Sequence, residues 1–202
     1  MVCSSEVGLR ASQHLTVIEA AKTAKVKLLA YTSIAHCDTS TNILAPEHQA
    51  TEAALKASGL AFVLLRNNWY LENYAQDLGY ARQTGSLAAA VTTGKVAAAL
   101  RTEYAEAAAR VLTSEGQAGK VYELSAPRAW DFPELAKAAG EVFGRPVAFV
   151  SLSAAERKQG LVAAGLPEGI ADFLTGLDLS TQAGSLAQAG DEDDAARAVI
   201  AK

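Results

Sequence analysis

Leu60-Ala61-Phe62-Val63-Leu64-Leu65, running on into Arg66-Asn67-Asn68-Trp69-Tyr70-Leu71-Glu72-Asn73-Tyr74, is the stretch around which the fold is read. The apolar run has the length and continuity of a strand buried on both faces, as in parallel sheets. Residues 66–74 then crowd amides and charges among three aromatic rings. In open α/β sheets, ligands bind in loops at the carboxyl ends of strands. Asn offers both a donor and an acceptor, while Trp and Tyr offer flat apolar faces with one polar handle each. Such a loop suits a planar, amide-bearing ligand. It also suits a strand-to-helix corner whose aromatics pack in the core.

Working towards the N-terminus, Pro46 opens a helix that runs to about Ser58, and Gly59 supplies its stop. Glu52 and Lys56 are placed to support that helix as an i,i+4 pair. Residues 26–32, VKLLAYT, form a second apolar strand, and Val17, Ile18, Ala20, Ala21 and Ala24 recur at helical spacing over 11–24. The opening residues look like the tail of a strand. Strand, helix, strand, helix, strand means βαβ units and an α/β fold.

Working towards the C-terminus, a helix is expected over 72–82 and short strands near 87–91 and 95–99. Thr102 can cap a helix to about Ser114 that buries Ala105, Ala108, Ala109 and Leu112. Strands follow at 120–124 and 147–152. Asp131-x-x-Glu134 and Ser153-x-x-Glu156 have capping-box spacing, and each opens a helix; another follows Pro167. The Gly-, Ala- and Asp-rich segment from Ser180, with Gly190-Asp191-Glu192-Asp193-Asp194, is a solvated turn or helix start.

Composition removes several function classes. Half of the 202 residues are apolar and a fifth are charged, and 18 basic against 22 acidic side chains give a net charge of −4. That is globular, with no basic patch for nucleic acid and no polybasic membrane segment. The apolar runs are far shorter than the ~20 residues of a bilayer span, and the N-terminus lacks a signal layout. A cytoplasmic location is the expectation. Cys3 and Cys37 are too few for a disulfide framework, and His14, His36 and His48 have no metal-ligand spacing. No nucleophile elbow and no phosphate loop occur.

Two further absences bear on redox chemistry. Gly8 is the only glycine before Gly59, so the glycine-rich turn that opens a dinucleotide domain is not found. No tyrosine is followed four residues later by lysine, the acid–base pair of many short-chain dehydrogenases; Glu47 or His48 falls near that tyrosine's place. Ser4, Ser5 and Glu6 at the first strand's end, and Ser33 at the next, either bond a ligand or cap a turn.

Seven segments in order carry a resemblance: SSEVGLRASQH (4–14), AYTSIAHCDTS (30–40), EHQATEAALKASGL (47–60), LLRNNWYLENY (64–74), EYAEAAARVL (103–112), GKVYELS (119–125) and GLPEGIADFL (165–174). Together they resemble the NmrA-like, atypical short-chain dehydrogenase group, in particular its NAD(P)H-dependent quinone oxidoreductases. The resemblance runs over about residues 1–175 and implies a single NmrA-like NAD(P)-binding domain over 1–202. The fold expected is α/β: a truncated Rossmann-like parallel sheet with flanking helices, plus a small C-terminal α/β lobe. The activity implied is hydride transfer from NADP(H) to a quinone, the partner being that small molecule and neither nucleic acid nor membrane. The alternatives are a non-catalytic NAD(P)-sensing NmrA-type regulator and an inactive fragment.

By the resemblance, Ser4, Ser5, Glu6, Asn67, Asn68, Trp69, Tyr70, Leu71, Glu72 and Asn73 border the cofactor, and His48 and Tyr70 are the weak catalytic candidates. Asn68 stands where the family usually has Gly, and Ala88 to Lys95 keeps only Gly94-Lys95 of a glycine-rich turn at the substrate mouth. The family carries roughly seventy more residues in front, with the first strands and the glycine-rich turn, so Met1 is expected within the fourth strand. A chain without that half is expected to bind NADP(H) weakly or not at all. It is also expected to self-associate through an exposed sheet edge.

Overall fold

The computed structural model describes residues 8–190. Helix α1 (Arg10–Thr23) leads into strand β1 (Leu29–Ile34), helix α2 (Ala45–Ala57) and strand β2 (Phe62–Asn67). A 3-10 turn (Leu71–Tyr74), helix α3 (Ala75–Thr84) and short strands β3 (Ser86–Ala89) and β4 (Lys95–Val96) follow. Then come α4 (Arg101–Thr113), β5 (Val121–Leu124), β6 (Trp130–Asp131), α5 (Phe132–Phe143), β7 (Ala148–Ser151), α6 (Ala154–Ala163) and α7 (Glu168–Gln182).

Strands β1, β2 and β5 form a parallel sheet in the order β1-β2-β5. Alternation along the strands feeds two different layers. Leu29, Tyr31 and Leu64 face Ile18 and Ala21 of α1 and Leu55 of α2. Ala30, Val63, Leu65, Tyr122 and Leu124 pack on Tyr104, Ala107, Ala108 and Val111 of α4. A third core, with Tyr74, Leu87, Val96, Phe132 and Leu186, fills the smaller C-terminal lobe, where β3 pairs in parallel with β7 and β4 antiparallel with β6. The α/β class, the parallel sheet with flanking helices and the small lobe are those expected.

Differences lie at element ends. β1 and β2 start three and two residues later than their apolar runs. Val26 instead closes α1, its amide donating to the Ala21 carbonyl (3.1 Å) after Lys25 takes a left-handed φ of 53°. At the other end, polar Arg66 and Asn67 continue the strand opposite Ser33 and Ile34. The expected helix over 72–82 is split, with Tyr74 buried at the junction. On α4 the buried stripe is Tyr104, Ala107, Ala108 and Val111, one residue away from the expected one, and Leu112 is 43% exposed. Both stripes have helical spacing, but the observed one buries Tyr and Val and so removes more apolar surface from water. Thr102 lies inside this helix; the Leu100 amide is answered by Glu103 Oε2 (2.7 Å).

Both capping boxes form. Glu134 N donates to Asp131 Oδ1 (2.9 Å) and Asp131 N to Glu134 Oε2 (3.0 Å). Glu156 N donates to Ser153 Oγ (3.2 Å) and Ser153 N to Glu156 Oε2 (2.8 Å). Gly94 also has a local reason. A Cβ there would sit 2.6 Å from the Thr181 carbonyl oxygen, so the turn after β3 touches the end of α7. Gln182 Oε1 fixes that turn by accepting from the amides of Thr92 (2.7 Å) and Thr93 (3.2 Å). The first strand expected before Gly8, its sheet edge, and the acidic run after Gly190 lie outside the described residues.

Candidate functional site

The three parallel strands finish together. Ala35 N donates to the Asn67 carbonyl (2.9 Å) and Asn68 N to the Leu124 carbonyl (2.8 Å), so the main chain of β2 is held from both sides as it leaves the sheet. The next residues therefore start from a fixed frame.

Arg66 provides much of that frame. Its guanidinium is buried and meets three carboxylates. Nε and Nη2 donate to Glu52 (2.9 and 2.6 Å), Nη1 donates to Glu123 (3.0 Å), and Nη2 also donates to Asp38 (2.7 Å). Ser33 Oγ donates to Glu52 (2.7 Å), and the His36 amide donates to Glu123 (2.8 Å). Burial alone pushes the Glu52 carboxyl up, but hydrogen bonds from Arg66 and Ser33 outweigh it and hold the group below the usual range. The expected Glu52–Lys56 pair exists at 3.6 Å as the outer part of this cluster. Ser33 is thereby assigned to structure. Nothing in the order of the chain links Arg66 to partners as distant as Glu52 and Glu123, so the only sign of the cluster in the sequence is an Arg at a strand end.

Asn67 and Asn68 have different duties. The Asn68 amide nitrogen donates to Ser125 Oγ (2.9 Å) and the Gln188 carbonyl (3.0 Å), and its Oδ1 accepts from Trp69 N (2.9 Å). It is fully occupied in tying the strand end to the returning chain. Asn67 Nδ2 donates to the Tyr70 hydroxyl (3.1 Å), but Asn67 Oδ1 is buried with no hydrogen-bond partner among the described residues. An unpaired buried acceptor costs about 1–3 kcal/mol, and such an atom calls for a ligand or a function.

The aromatic residues follow from there. Tyr70 lies edge-on to Tyr104 (centroids 5.3 Å, 67°), and the guanidinium carbon of Arg101 stands 5.3 Å from its ring centroid. The Trp69 carbonyl accepts from Ala99 N (3.2 Å), and Leu71 N donates back to the Ala99 carbonyl (3.0 Å). The side chains of Trp69 and Leu71 pack on the core of the smaller lobe. Glu72 accepts from Arg101 N through both oxygens (2.9 and 3.1 Å), and Asn73 Oδ1 accepts from Arg101 Nη2 (3.0 Å). Five of the expected cofactor-bordering positions, Asn68, Trp69, Leu71, Glu72 and Asn73, thus have structural partners. Asn67 and Tyr70 keep unspent capacity. Ser4, Ser5 and Glu6 lie outside the described residues.

The two catalytic candidates are not brought together. Tyr70 packs on the α4 layer, whereas His48 shares a 2.7 Å hydrogen bond with the Tyr31 hydroxyl in the α1/α2 layer. Burial, with help from the Arg10 cation and His14, lowers the His48 pKa to about 3. The ring is therefore neutral near pH 7. Burial likewise raises the Tyr31 hydroxyl and pushes the Cys37 thiol up to about 12, leaving neither reactive. Among the described residues no group of three His, Cys, Asp or Glu side chains is arranged to hold a metal ion. No helix among them is long and apolar enough to cross a membrane.

No family model matches the chain. Quinone oxidoreductase 2 of Escherichia coli (strain K12) is 46% identical over 186 residues, which cover 92% of this chain and 65% of that protein. The chain thus spans a little under two thirds of the length of this curated relative. The crystal structure of the NADPH-dependent quinone oxidoreductase from Escherichia coli complexed with NADPH superposes with a TM-score of 0.90 at 44% identity, covering 98% of this chain and 69% of that one. The Citrobacter sp. triphenylmethane reductase complexed with NADP(H) also reaches 0.90, at 32% identity, covering 98% and 70%.

Proposed function

The chain belongs to the family of the NADPH-dependent quinone oxidoreductase of Escherichia coli, and from that membership we propose that it reduces quinones by hydride transfer from NADPH. The balance is one quinone, one NADPH and one proton giving hydroquinone and NADP. The dihydronicotinamide supplies the hydride when bound, and the protein's share is orientation and exclusion of water.

The observation that carries this reading is the buried, unpartnered Oδ1 of Asn67 at the carboxyl end of β2. A carboxamide is a planar group with two N–H donors, and an oriented buried acceptor is what it lacks. Asn67 Oδ1 would accept from that carboxamide, while the same side chain holds the Tyr70 hydroxyl through Nδ2. Tyr70 then presents its ring as one wall for a flat acceptor. Trp69, Leu71, Glu72 and Asn73 act on the cofactor only through the frame they build, and Asn68 fixes the loop. A reduced quinone oxygen takes its proton from water, so a neutral His48 in the other layer is no obstacle.

The NmrA-type assignment and the cofactor NADP(H) come to this chain by the same membership, the matching structures being an NADPH and an NADP(H) complex. The test is steady-state oxidation of NADPH with menadione, run beside equilibrium titration of NADP. Turnover that saturates in both substrates is expected. Saturable NADP binding without turnover would replace the enzyme with a dinucleotide-sensing regulator, and no binding at all would remove both.

A further inference from the structure

Arg101 is a cation whose hydrogen bonds leave its charge unanswered. It is exposed and opens α4. The nearest carboxylate in the hydrogen-bond network, Glu72, is spent on the Arg101 backbone amide (2.9 and 3.1 Å). That of Glu103 is spent on the Leu100 amide (2.7 Å). Both carboxylates therefore answer the helix N-terminus, where negative charge is favoured. The guanidinium itself donates only to a neutral amide, Asn73 Oδ1 (3.0 Å), and lies over a neutral ring, Tyr70 (5.3 Å). No carboxylate forms an ion pair with it among the described residues, in contrast to Arg10, Arg66, Arg128 and Arg157.

Two neutral contacts hold this cation at a fixed place beside an aromatic face. The same ring is tethered at its hydroxyl by Asn67 (3.1 Å), whose Oδ1 is the buried acceptor without a partner. One connected set, Asn67, Tyr70, Arg101 and Asn73, thus runs from an unsatisfied acceptor inside the fold to an unneutralised cation at its rim. A flat conjugated molecule lying against Tyr70 presents its outer edge to that guanidinium. A planar fork of N–H donors is suited to sulfonate or carboxylate oxygens.

We propose that Arg101 is a specificity-determining residue, its guanidinium selecting aromatic acceptors that carry an anionic substituent over neutral acceptors of the same ring system. The proposal rests on the quinone-reductase reading for the kind of acceptor. Its charge-recognition half is measured without turnover. The guanidinium is exposed, so the preference is moderate and falls as salt screens it.

The experiment uses a matched pair of probes, anthraquinone-2-sulfonate and 2-(hydroxymethyl)anthraquinone, titrated without NADPH so that neither is reduced. Their dissociation constants are measured by calorimetry for the full chain and for Arg101→Gln and Arg101→Lys, with thermal melting to establish that each variant is folded. A ratio of about three- to tenfold in favour of the sulfonate is expected at low salt, as for a charge-assisted contact near a surface. It should shrink at high salt, collapse towards unity in Arg101→Gln and survive in part in Arg101→Lys. A wild-type ratio of one, or an unchanged ratio in Arg101→Gln, overturns the proposal. So does a loss of NADP affinity in Arg101→Gln with the probe ratio intact, because the guanidinium then serves the cofactor. Failure of menadione turnover beside an intact sulfonate preference sinks the reductase reading and leaves the anion site. Turnover without the preference does the reverse.

Discussion

Arg66 and Asn67 are neighbours in sequence with opposite balances of supply and demand. Arg66 gives its donors to three carboxylates, and removal of its guanidinium would leave Glu52, whose side chain is only 2% exposed, with only the longer Lys56 contact (3.6 Å) and the Ser33 hydroxyl to offset its buried charge. Arg66→Ala should therefore cost about 3–5 kcal/mol in urea unfolding, the range for breaking a buried pair from one side. Asn67 is the reverse case. Asn67→Leu removes an unpaired acceptor along with one hydrogen bond to Tyr70, so its net cost should be no more than about 1 kcal/mol. The same change should raise the KM for NADPH by about tenfold, the effect of deleting one buried polar contact to a ligand. An unaltered KM would remove Asn67 from the cofactor site. Residues 66–74 stand out as a candidate binding loop from their composition and place after a strand. The division of labour inside them was not legible, because what spends Asn68, Glu72 and Asn73 lies at Ser125, Gln188 and Arg101.

Elements were legible where a local rule acts alone. The two capping boxes, the proline opening α2 and the glycine that ends it all depend on residues a few positions apart. The strand ends and the buried stripe of α4 were displaced because tertiary neighbours decide them: Asn67 stays in the ladder through Ile34, and Tyr104 faces Tyr70. β6 went unforeseen, being a two-residue strand that exists only as the partner of β4. Gly94 gives an element-scale prediction. In Gly94→Ala the new methyl meets the main chain of Thr181 and Gln182, which cannot rotate away as a side chain could. Overpacking of this kind costs typically about 1–3 kcal/mol. The variant should melt correspondingly lower, and removal of the contact partner cannot rescue it, because that partner is backbone.

For the whole molecule, acidity acts through the α1/α2 layer. His14 is 2% exposed, and its Nδ1 shares a 3.0 Å hydrogen bond with the Thr51 hydroxyl, which also reaches the Glu47 carbonyl (2.9 Å). Burial, and then the Arg10 cation, lower the His14 pKa against the pull of Glu47; His48 is lowered to about 3. Both imidazoles bind protons more readily in the unfolded chain, whose value is near 6.5. Their contribution to stability is therefore complete above about pH 6.5 and is lost as the pH falls below it, by up to ~1.4 kcal/mol per unit for each ring. The lowered carboxyl of Glu52 works in the same direction at lower pH. Urea midpoints should decline from pH 6.5 to 4.5, and His48→Gln should make that decline shallower. A decline of the same slope in the variant would assign the acid sensitivity elsewhere.

The return of the chain past α7 has one more consequence. Leu186 accepts from Ala97 N (2.8 Å), Gln188 accepts from Ser125 Oγ (2.8 Å) as well as from Asn68, and Gly190 N donates to the Ala126 carbonyl (3.0 Å). These residues belong to no helix or strand, yet they are stitched at three successive points to the segments that follow β2, β4 and β5. Amide hydrogen exchange at Ala97 and Gly190 should therefore be slow for coil, keeping pace with the cooperative opening of the sheet end itself. A protease that cleaves coil readily should find this strap resistant until the sheet end comes apart.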